Sequence, residues 1–335
     1  MTNKNSMQEI SLAYHLNCYL CNSTGDLLYQ GLRDRLFAVP GEWNIRRCQN
    51  PECGLLWLDP MPTKEDIVKV YQNYYTHGDG NEKEKQFVVI WNILRDLYRL
   101  ISLGLSMITR LDVEQQHLDD MYLTDVKPGK LLDIGCGDGK YLAHMRSKGW
   151  RVEGVDIDPV AAKYVREKLG IIVHFGELEK LKFPDNSFDA ITMNHVIEHL
   201  HDPASFVREC HRILKVGGKL VIATPNVNSW GHRKFGINWL SLEPPRHLHL
   251  FSQKTLKDCL YRSGFKSVIT WTTAVNAASV FIASLGIKRY GRHNLMARAE
   301  LRYYLKGLIL QYCELFATQT NHDLGEEVVL VGNKL

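Results

Sequence analysis

The segment that most constrains the fold is a short apolar run that enters a glycine-rich loop, Leu131 to Gly139, with the sequence LLDIGCGDG. Glycine occupies every second position of the loop, so the backbone can turn tightly and approach a ligand without Cβ clashes. A helix-forming stretch, 140–148, follows directly. A buried strand, a glycine loop and a helix in this order predict a parallel α/β sheet whose loop holds a ligand.

The glycine spacing excludes two familiar nucleotide-binding loops. The dinucleotide fingerprint G-x-G-x-x-G needs glycine at 140, where the chain has Lys140; the phosphate loop needs glycine at 134 and Ser or Thr at 141, where it has Ile134 and Tyr141. The remaining pattern, D-x-G-x-G-x-G, suits a ligand with a carboxylate and an ammonium. The next strand ends in Asp156, at the spacing from which a carboxylate takes ribose hydroxyls. A turn loop followed by a surface acid is the weaker alternative.

Beyond residue 127, predicted strands alternate with predicted helices. The strands are Lys130–Ile134, Arg151–Val155, Ile171–Phe175, Phe188–Met193, Lys219–Ala223, Ser267–Thr273 and Glu327–Val331. The helices are Lys140–Lys148, Pro159–Leu169, Phe206–Leu214 and Thr255–Ser263, with Val196–Leu200 opening one more. This alternation predicts a doubly wound α/β fold, with a parallel sheet and helices on both faces.

Three parts are expected along the chain. A cysteine-rich module spans 1–62, a helical lid or linker spans 63–126, and the α/β domain spans 127–335, with a helical insertion at about 274–325. Phe87–Leu111 is predicted as one long amphipathic helix. Apolar helices of this kind are more often core or dimer interface than membrane contact. Basic residues accompany them here, so peripheral membrane contact and a lipid-linked substrate remain alternatives, and the oligomeric state stays open.

Four cysteines lie within the first 53 residues, and they form two close pairs: Cys18 with Cys21, and Cys48 with Cys53. Two short pairs of thiolates are what a tetrahedral structural zinc needs. The wider gap of the second pair departs from the usual two residues, and Asn50 to Glu52 can widen that turn. Four unconnected buried thiols are the alternative. Because all four positions are thiols, the site is expected to be structural rather than catalytic.

Composition and charge exclude several classes of protein. The chain has 335 residues, of which 45% are apolar and 23% charged, as in an ordinary globular protein. The N-terminus lacks the pattern of a signal peptide and no long apolar run is present, so we expect a cytoplasmic protein with reduced thiols. A net charge of +4, with no basic cluster within 14–60, argues against a nucleic-acid partner.

Residues from about 127 to 272 resemble class I S-adenosylmethionine-dependent methyltransferases with a Rossmann-like sheet, particularly the ubiquinone-type and sugar methyltransferases. The matching text is LLDIGCGDG, GVDIDP, LKFPDNSFDAITMNHVIEHL, RILKVGGKLVIATPN and EPPRHLHLFS. The resemblance implies S-adenosylmethionine as cofactor. A cysteine-rich module ahead of such a domain resembles sugar methyltransferases of polysaccharide clusters and, more loosely, ribosomal-RNA guanine methyltransferases.

The resemblance also assigns roles to individual residues. Asp133 and the loop hold the methionine part, Asp156 the ribose, Ile157 the adenine face, Glu177 and Leu178 the adenine edge, while the backbone of Asn194 faces the sulfonium. The full predicted cofactor set is Asp133, Gly135, Cys136, Gly137, Gly139, Asp156, Ile157, Glu177, Leu178 and Asn194. Glu177 and Lys182 replace the commoner Asp and Pro of the family, which leaves the cofactor prediction unchanged.

The segment His195-Val-Ile-Glu198-His199 matches the zinc-peptidase pattern H-x-x-E-H. We reject that interpretation because the segment starts at the end of a sheet strand and not in a long helix. A divalent ion remains an alternative, since a similar stretch has been linked to one in related quinone methyltransferases. His195 directly follows Asn194 and is therefore expected beside the transferred methyl, where an imidazole can accept a proton. His199 is either a further candidate base or a hydrogen-bonded core residue.

The loop after the fifth predicted strand of the sheet carries Arg246, His247 and His249. Loops at the carboxyl ends of parallel strands hold ligands. His247 is therefore a second candidate base, and Arg246 is expected to hold an anionic group such as a phosphate. His247 and His249 share a face if the chain is extended. The alternative is a surface loop with incidental histidines.

Together these patterns predict a methyltransferase that modifies a hydroxyl of a sugar, nucleotide sugar or related small molecule. One rival is a ribosomal-RNA methyltransferase whose zinc ribbon binds nucleic acid. The other is a nonenzymatic zinc-bearing interaction protein with a vestigial cofactor fold, against which the intact glycine loop and Asp156 argue.

Overall fold

The computed structural model describes residues 10–71, 100–293 and 300–335. Its strands are β1 (Leu12–Ala13), β2 (Gly25–Leu32), β3 (Trp43–Cys48), β4 (Leu56–Leu58), β5 (Met61–Pro62), β6 (Lys130–Ile134), β7 (Arg151–Asp156), β8 (Ile172–Phe175), β9 (Phe188–Asn194), β10 (Leu214–Pro225), β11 (His249–Leu250), β12 (Ser267–Thr273) and β13 (Glu327–Asn333). Its helices are α1 (100–109), α2 (Leu111–Asp119), α3 (Lys140–Ser147), α4 (Pro159–Tyr164), α5 (Pro203–Ile213), α6 (Trp230–Phe235), α7 (Gln253–Arg262), α8 (Ala277–Tyr290) and α9 (Leu301–Thr320).

Seven strands form the large sheet in the order β12-β13-β10-β9-β6-β7-β8. Strands β6 to β10 pair in parallel, and β13 runs antiparallel to both of its neighbours. The chain moves outward from β6 through β7 to β8 and then returns to the other side of β6 as β9. Strand order therefore reverses between β6 and β9, where ligands bind at the carboxyl ends of the strands. The α/β expectation is confirmed.

Local signals explain most element boundaries. The Asp202 side chain accepts a hydrogen bond from the Ser205 amide, and Pro203 occupies the first turn, so α5 begins there. A capping box between Ser252 and Thr255 starts α7 in the same way. The strands β6 and β9 are buried along almost their whole length, as expected for the centre of a sheet covered on both faces.

Three predicted helices differ from the observed elements. The predicted helix Pro159–Leu169 is α-helical only to Tyr164, and Val165–Leu169 continues it as a π-helical turn. The stretch Val196–Leu200 forms only a 3-10 turn, Ile197–His199, because the chain becomes extended at Leu200 before the capped start of α5. Of the predicted helix Phe87–Leu111, residues 87–99 lie outside the described residues. Its remainder is α1, which ends where Arg110 takes a left-handed conformation (φ 61°), and α2 starts at Leu111.

The N-terminal residues form a second sheet that the α/β domain completes. This sheet has the order β11-β4-β3-β2, and its edge strand β11 comes from the loop after β10. The amide of Leu248 donates to the Glu198 carbonyl at 2.8 Å, and the Leu248 carbonyl accepts from the Leu58 amide at 2.9 Å. One residue thus links both parts. The division of the chain at residue 62 stays a prediction, but the two parts share backbone hydrogen bonds.

A buried ion pair reinforces this junction and corrects one expectation. The Arg246 guanidinium donates to both carboxylate oxygens of Asp34, at 2.8 and 2.9 Å, and to Glu243 at 2.8 Å. Its side chain is fully buried. These carboxylates raise the pKa of Arg246 despite the opposing effect of burial. The expectation that Arg246 binds an anionic ligand is wrong, because Asp34, far earlier in the chain, already occupies the guanidinium.

Helices α8 and α9 pack against each other, and both lie within 274–325, where the helical insertion is predicted. Within the described parts of the chain, no helix is both long and apolar enough to cross a membrane. Two carboxyl groups are buried in this region: Glu314, which is on α9, and Glu326, which directly precedes β13. Glu314 Oε1 and Glu326 Oε2 have no hydrogen-bond partner. Burial raises the pKa of Glu314 to about 8, and burial together with Glu314 raises that of Glu326.

The Glu314 pKa makes the stability of the fold depend on pH. Its ordinary value is 4.5. Between that value and about 8 the folded chain therefore holds a proton that the unfolded chain has lost, and stability falls as the pH rises through this window. Glu314→Gln, which is neutral at all pH values, should gain stability relative to the parent chain, by about 1–3 kcal/mol at alkaline pH. Thermal melting across the window checks this.

The matched control is Glu167→Gln, at an exposed glutamate of the large domain. It should leave the pH dependence of melting unchanged. If Glu314→Gln melts like the control at every pH, the Glu314 carboxyl group does not take up a proton on folding.

Candidate functional site

The glycine loop between β6 and α3 provides an open cradle at the strand-order reversal. Gly135, Gly137 and Gly139 all have positive φ, at 72°, 50° and 73°. A Cβ at Gly137 would meet nothing within 4 Å, so the space above the loop is free. A Cβ at Gly135 would lie 2.5 Å from Val196, so this glycine also allows the loop to approach the segment after β9.

Two carboxyl groups lie beneath this loop. Asp156 accepts hydrogen bonds from the amides of Gly137 and Asp158, each at 2.8 Å, and burial raises its pKa. Asp133 accepts from the Thr192 hydroxyl at 2.7 Å, and burial raises its pKa to about 7. Asp156 therefore shapes the loop directly, and Thr192, which the sequence analysis did not identify, orients Asp133 from the neighbouring strand.

An exposed apolar surface follows the carboxyl ends of β7 and β8. Ile157 is 56% exposed and Phe175 53% exposed, and Phe175 pairs with Asp156 in the register of the two strands. Large apolar side chains that are this exposed beside a buried carboxylate can pack against the flat ring of a nucleobase. Glu177 is exposed and paired with Lys180, whereas the Leu178 side chain is buried. Any contact of Leu178 with a ligand would therefore come from its backbone.

His195 lies at the carboxyl end of β9, directly after the exposed Asn194. Its Nδ1 is 3.1 Å from Glu198 Oε1 and its Nε2 is 2.7 Å from Glu327 Oε1, while 40% of its side chain remains exposed. Desolvation of the ring disfavours its charge, but the two carboxylates prevail and the pKa of His195 is raised well above 6.5. Glu327 is held in turn by the Asn276 amide at 3.0 Å.

His199 and His247 lie deeper, and their ring centroids are 4.8 Å apart. His247 Nδ1 is 2.8 Å from the Ser241 carbonyl, and His199 Nδ1 is 3.0 Å from the Arg246 carbonyl. A carbonyl can only accept, so Nδ1 of each ring carries a proton. Burial lowers the pKa of His247, so this ring is neutral.

Ligand atoms of His199, His247 and Glu198 all lie within 4.8 Å of one another. The alternative of a divalent ion at this place therefore has suitable donors and stays a prediction. His249 is buried as well, and its Nδ1 is bonded to the Leu200 carbonyl at 3.0 Å. Neither His247 nor His249 lies on the surface, so the loop is part of the junction between the two sheets.

The four N-terminal cysteines converge. Their sulfur atoms all lie within 4.8 Å of one another, with Cys18 Sγ 3.6 Å from Cys53 Sγ and Cys21 Sγ 3.3 Å from Cys48 Sγ. Four sulfurs at about 2.3 Å from a tetrahedral zinc would be separated by just under 4 Å. The Asn50 side chain accepts from the Glu52 amide, which forms the wider turn of the second pair. The donor set thus fits a structural zinc.

The turn that carries Cys18 and Cys21 contacts the large domain. The Tyr19 hydroxyl donates to Asp202 and accepts from the Ala204 amide, at the start of α5. Arg262, at the end of α7, donates to the carbonyl of Leu20. The turn that carries two of the four cysteines is therefore hydrogen-bonded to both α5 and α7.

The seven-stranded doubly wound sheet, the glycine cradle at its reversal point and the buried acid that ends β7 define a class I S-adenosylmethionine-dependent methyltransferase domain. Residues 113–270 match the family model described as "Methyltransferase domain". The cradle, the exposed apolar surface of Ile157 and Phe175, and the carboxylate of Asp156 fit the parts of that cofactor.

Curated relatives share this part of the chain. A probable S-adenosylmethionine-dependent methyltransferase of Mycolicibacterium smegmatis is 38% identical over 97 residues, which cover 29% of this chain and 38% of the relative. A ubiquinone biosynthesis O-methyltransferase of Pseudomonas aeruginosa is 34% identical over 105 residues, or 30% of this chain and 45% of the relative. The chain thus spans less than half the length of these relatives.

Solved structures resemble the chain more distantly. A methyltransferase of Thermotoga maritima, described as a possible histamine N-methyltransferase, is 20% identical with a TM-score of 0.45 and covers 71% of this chain and all of its own. A methyltransferase of Archaeoglobus fulgidus is 20% identical with a TM-score of 0.44 and covers 75% of this chain.

Sequence reasoning missed several residues of the site. Thr192, Phe175, Glu327 and Asn276 all follow or lie within strands that the sequence does predict. Two of them could have been found from the sequence: Thr192 is a polar side chain inside a buried strand, and Glu327 is an acid that begins the last strand.

Asp156→Ala tests the cofactor site. The change removes the acceptor for the Gly137 amide and the carboxylate expected at the ribose, so S-adenosylmethionine binding should weaken by about 1.5–3 kcal/mol for each lost charge-assisted hydrogen bond. Titration calorimetry measures this. Asp125→Ala, at an exposed aspartate, is the control. Unchanged affinity in a folded Asp156→Ala chain would remove Asp156 from the site.

Proposed function

We propose that the protein is an S-adenosylmethionine-dependent methyltransferase that acts on a hydroxyl of a sugar, nucleotide sugar or related small molecule. The observation that carries the proposal is the glycine cradle with Asp156, together with a half-exposed histidine at the end of the adjacent strand β9. The cofactor supplies an electrophilic methyl group. The residues of the chain bind it, orient the acceptor and take up the acceptor's proton.

His195 is the proposed base because, of the three candidate histidines, it is the most accessible and lies beside Asn194. The two carboxylates that contact its nitrogens favour the imidazolium, so His195 is protonated in most molecules at neutral pH. Only the deprotonated fraction accepts a proton from the acceptor, and that fraction grows with pH. Once it has accepted, the imidazolium is stabilised by Glu198 and Glu327. Burial sets His199 and His247 further from an acceptor.

The acceptor class is supported only by the chemistry of the site. A phenolic hydroxyl is the second candidate, favoured by the similarity to a ubiquinone biosynthesis O-methyltransferase. Transfer of a labelled methyl group to nucleotide sugars, free sugars, a catechol and ribosomal RNA separates the hypotheses. Labelling of RNA alone would support the ribosomal-RNA rival, and cofactor binding without labelling of any acceptor would leave the nonenzymatic rival.

We also propose that Cys18, Cys21, Cys48 and Cys53 hold a structural zinc. The converging sulfurs support it, and a metal would fix the turn whose Tyr19 and Leu20 bond to the start of α5 and the end of α7. Four thiolates complete a tetrahedron, so the metal would position the module and would not touch the acceptor.

Metal analysis tests the zinc. Protein purified without chelator should carry about one zinc per chain, and Cys18→Ser should lose it. Because metal binding contributes to folding, that variant should lose more than about 3 kcal/mol of stability. Cys313→Ser, at an exposed cysteine, is the control. Protein without zinc would refute the proposal. A second equivalent of metal that disappears in His247→Ala would instead reveal the divalent ion near Glu198.

The pH profile of turnover tests the base. Turnover should rise with pH through the raised pKa of His195, and His195→Ala should lower it at least about 100-fold while cofactor affinity changes little. Glu327→Gln removes one carboxylate from the ring, which lowers the pKa of His195 and moves the rising limb to lower pH. A purely structural role of Glu327 would leave that midpoint in place.

His247→Ala is compared with His195→Ala in the same turnover assay. Where no acceptor is known, the slow hydrolysis of the cofactor is measured in place of methyl transfer. If His195→Ala keeps near-normal turnover and His247→Ala does not, His247 is the base. If both variants keep near-normal turnover, either His199 is the base or alignment of the acceptor alone drives the transfer.

A further inference from the structure

Two helices outside the methyltransferase site expose large apolar side chains. On α1, Leu100, Leu103, Met107 and Ile108 are 67%, 59%, 68% and 80% exposed. On α9, Leu305, Ile309 and Phe316 are 43%, 62% and 70% exposed, and they recur at helical spacing on one side of the helix. These seven residues are called here the apolar face. Exposure of this extent on neighbouring elements marks a surface that binds something.

The two helices adjoin. The side chain of Thr109, at the end of α1, lies close to the hydroxyl of Tyr312, in the middle of α9. Helix α9 packs against α8, and the Tyr303, Gly307, Leu308 and Gln311 side of α9 is buried. The exposed apolar side chains of α9 therefore lie on the outer side of a packed helical layer, opposite the buried side of the same helix.

Exposed basic residues outnumber exposed acidic residues around the apolar face. Exposed basic residues border it at the end of α8 and the start of α9: Lys288, Arg289, Arg292, Arg302 and Lys306. Within the described residues 100–110 and 301–320, no acidic side chain is exposed, since Glu314 is buried. Glu300, which pairs with Arg302, is the acid at the border.

We propose that this face docks on an anionic membrane surface. Apolar side chains that enter the headgroup boundary, flanked by lysines and arginines that meet anionic lipids, are the arrangement of a helix that lies in a membrane interface. A second copy of the chain fits less well, because it would bring like basic borders together without exposed carboxylates on α9 to pair with them. The proposal does not depend on methyl transfer, since binding to lipid is measured directly.

Co-sedimentation of the full chain with lipid vesicles tests the proposal. The protein should pellet with vesicles of phosphatidylcholine and phosphatidylglycerol and much less with phosphatidylcholine alone, and added salt should release it. Ile309→Ser combined with Phe316→Ser should lower the partition coefficient at least about tenfold. Lys306→Glu should lower it on anionic vesicles. Val216→Ser is the matched control, at a side chain that is 72% exposed on β10.

Each variant is first shown to bind S-adenosylmethionine with parental affinity, so a misfolded variant is not mistaken for a loss of docking. Absence of binding to anionic vesicles, or equal binding by the parent and the double variant, overturns the proposal. So does a dimer in sedimentation equilibrium that the double variant dissociates while vesicles bind neither chain, because the face would then be an interface between two copies.

Discussion

The peptide groups of Leu248 link the N-terminal sheet to the large domain by backbone hydrogen bonds. The amide of Leu248 bonds to Glu198, in the turn after the central strand β9, and its carbonyl accepts from Leu58 in the cysteine-bearing sheet. The next two residues then form β11 and complete that sheet. Because unpaired backbone groups are costly when buried, the N-terminal sheet stabilises the loop after β10 in this position. The same loop contacts Glu198, whose carboxylate is bonded to His195.

Buried charges at this junction make the coupling specific. Arg246 binds Asp34 and Glu243 in a fully buried position. Such a pair need not stabilise the fold relative to apolar residues, but loss of one partner leaves an uncompensated charge, at about 3–5 kcal/mol. The pair thus excludes arrangements in which the two sheets are displaced, and the backbone carbonyls of the same loop fix the rings of His199 and His247.

The sequence predicts the large sheet well because its information is local. Buried strands, the glycine loop and the capped helices identify themselves within ten residues, and β12 occupies the predicted span Ser267–Thr273. The interactions that could not be predicted join residues far apart in the chain: Asp34 with Arg246, β4 with β11, and Glu327 with His195. Arg246 has the character of an anion-binding residue, and only its distant partner shows that it is structural.

The carboxylates around His195 connect the chemistry of the site to the helical layer outside it. Asn276, the residue before α8, donates to both oxygens of Glu327, and Glu327 is bonded to the ring of His195. Movement of α8 would change the distance from Glu327 to the ring and, with it, the proton affinity of the proposed base. Helix α8 also packs against α9, which carries the apolar face. A membrane surface that binds α9 would therefore be connected, through α8 and Asn276, to Glu327, which raises the pKa of His195.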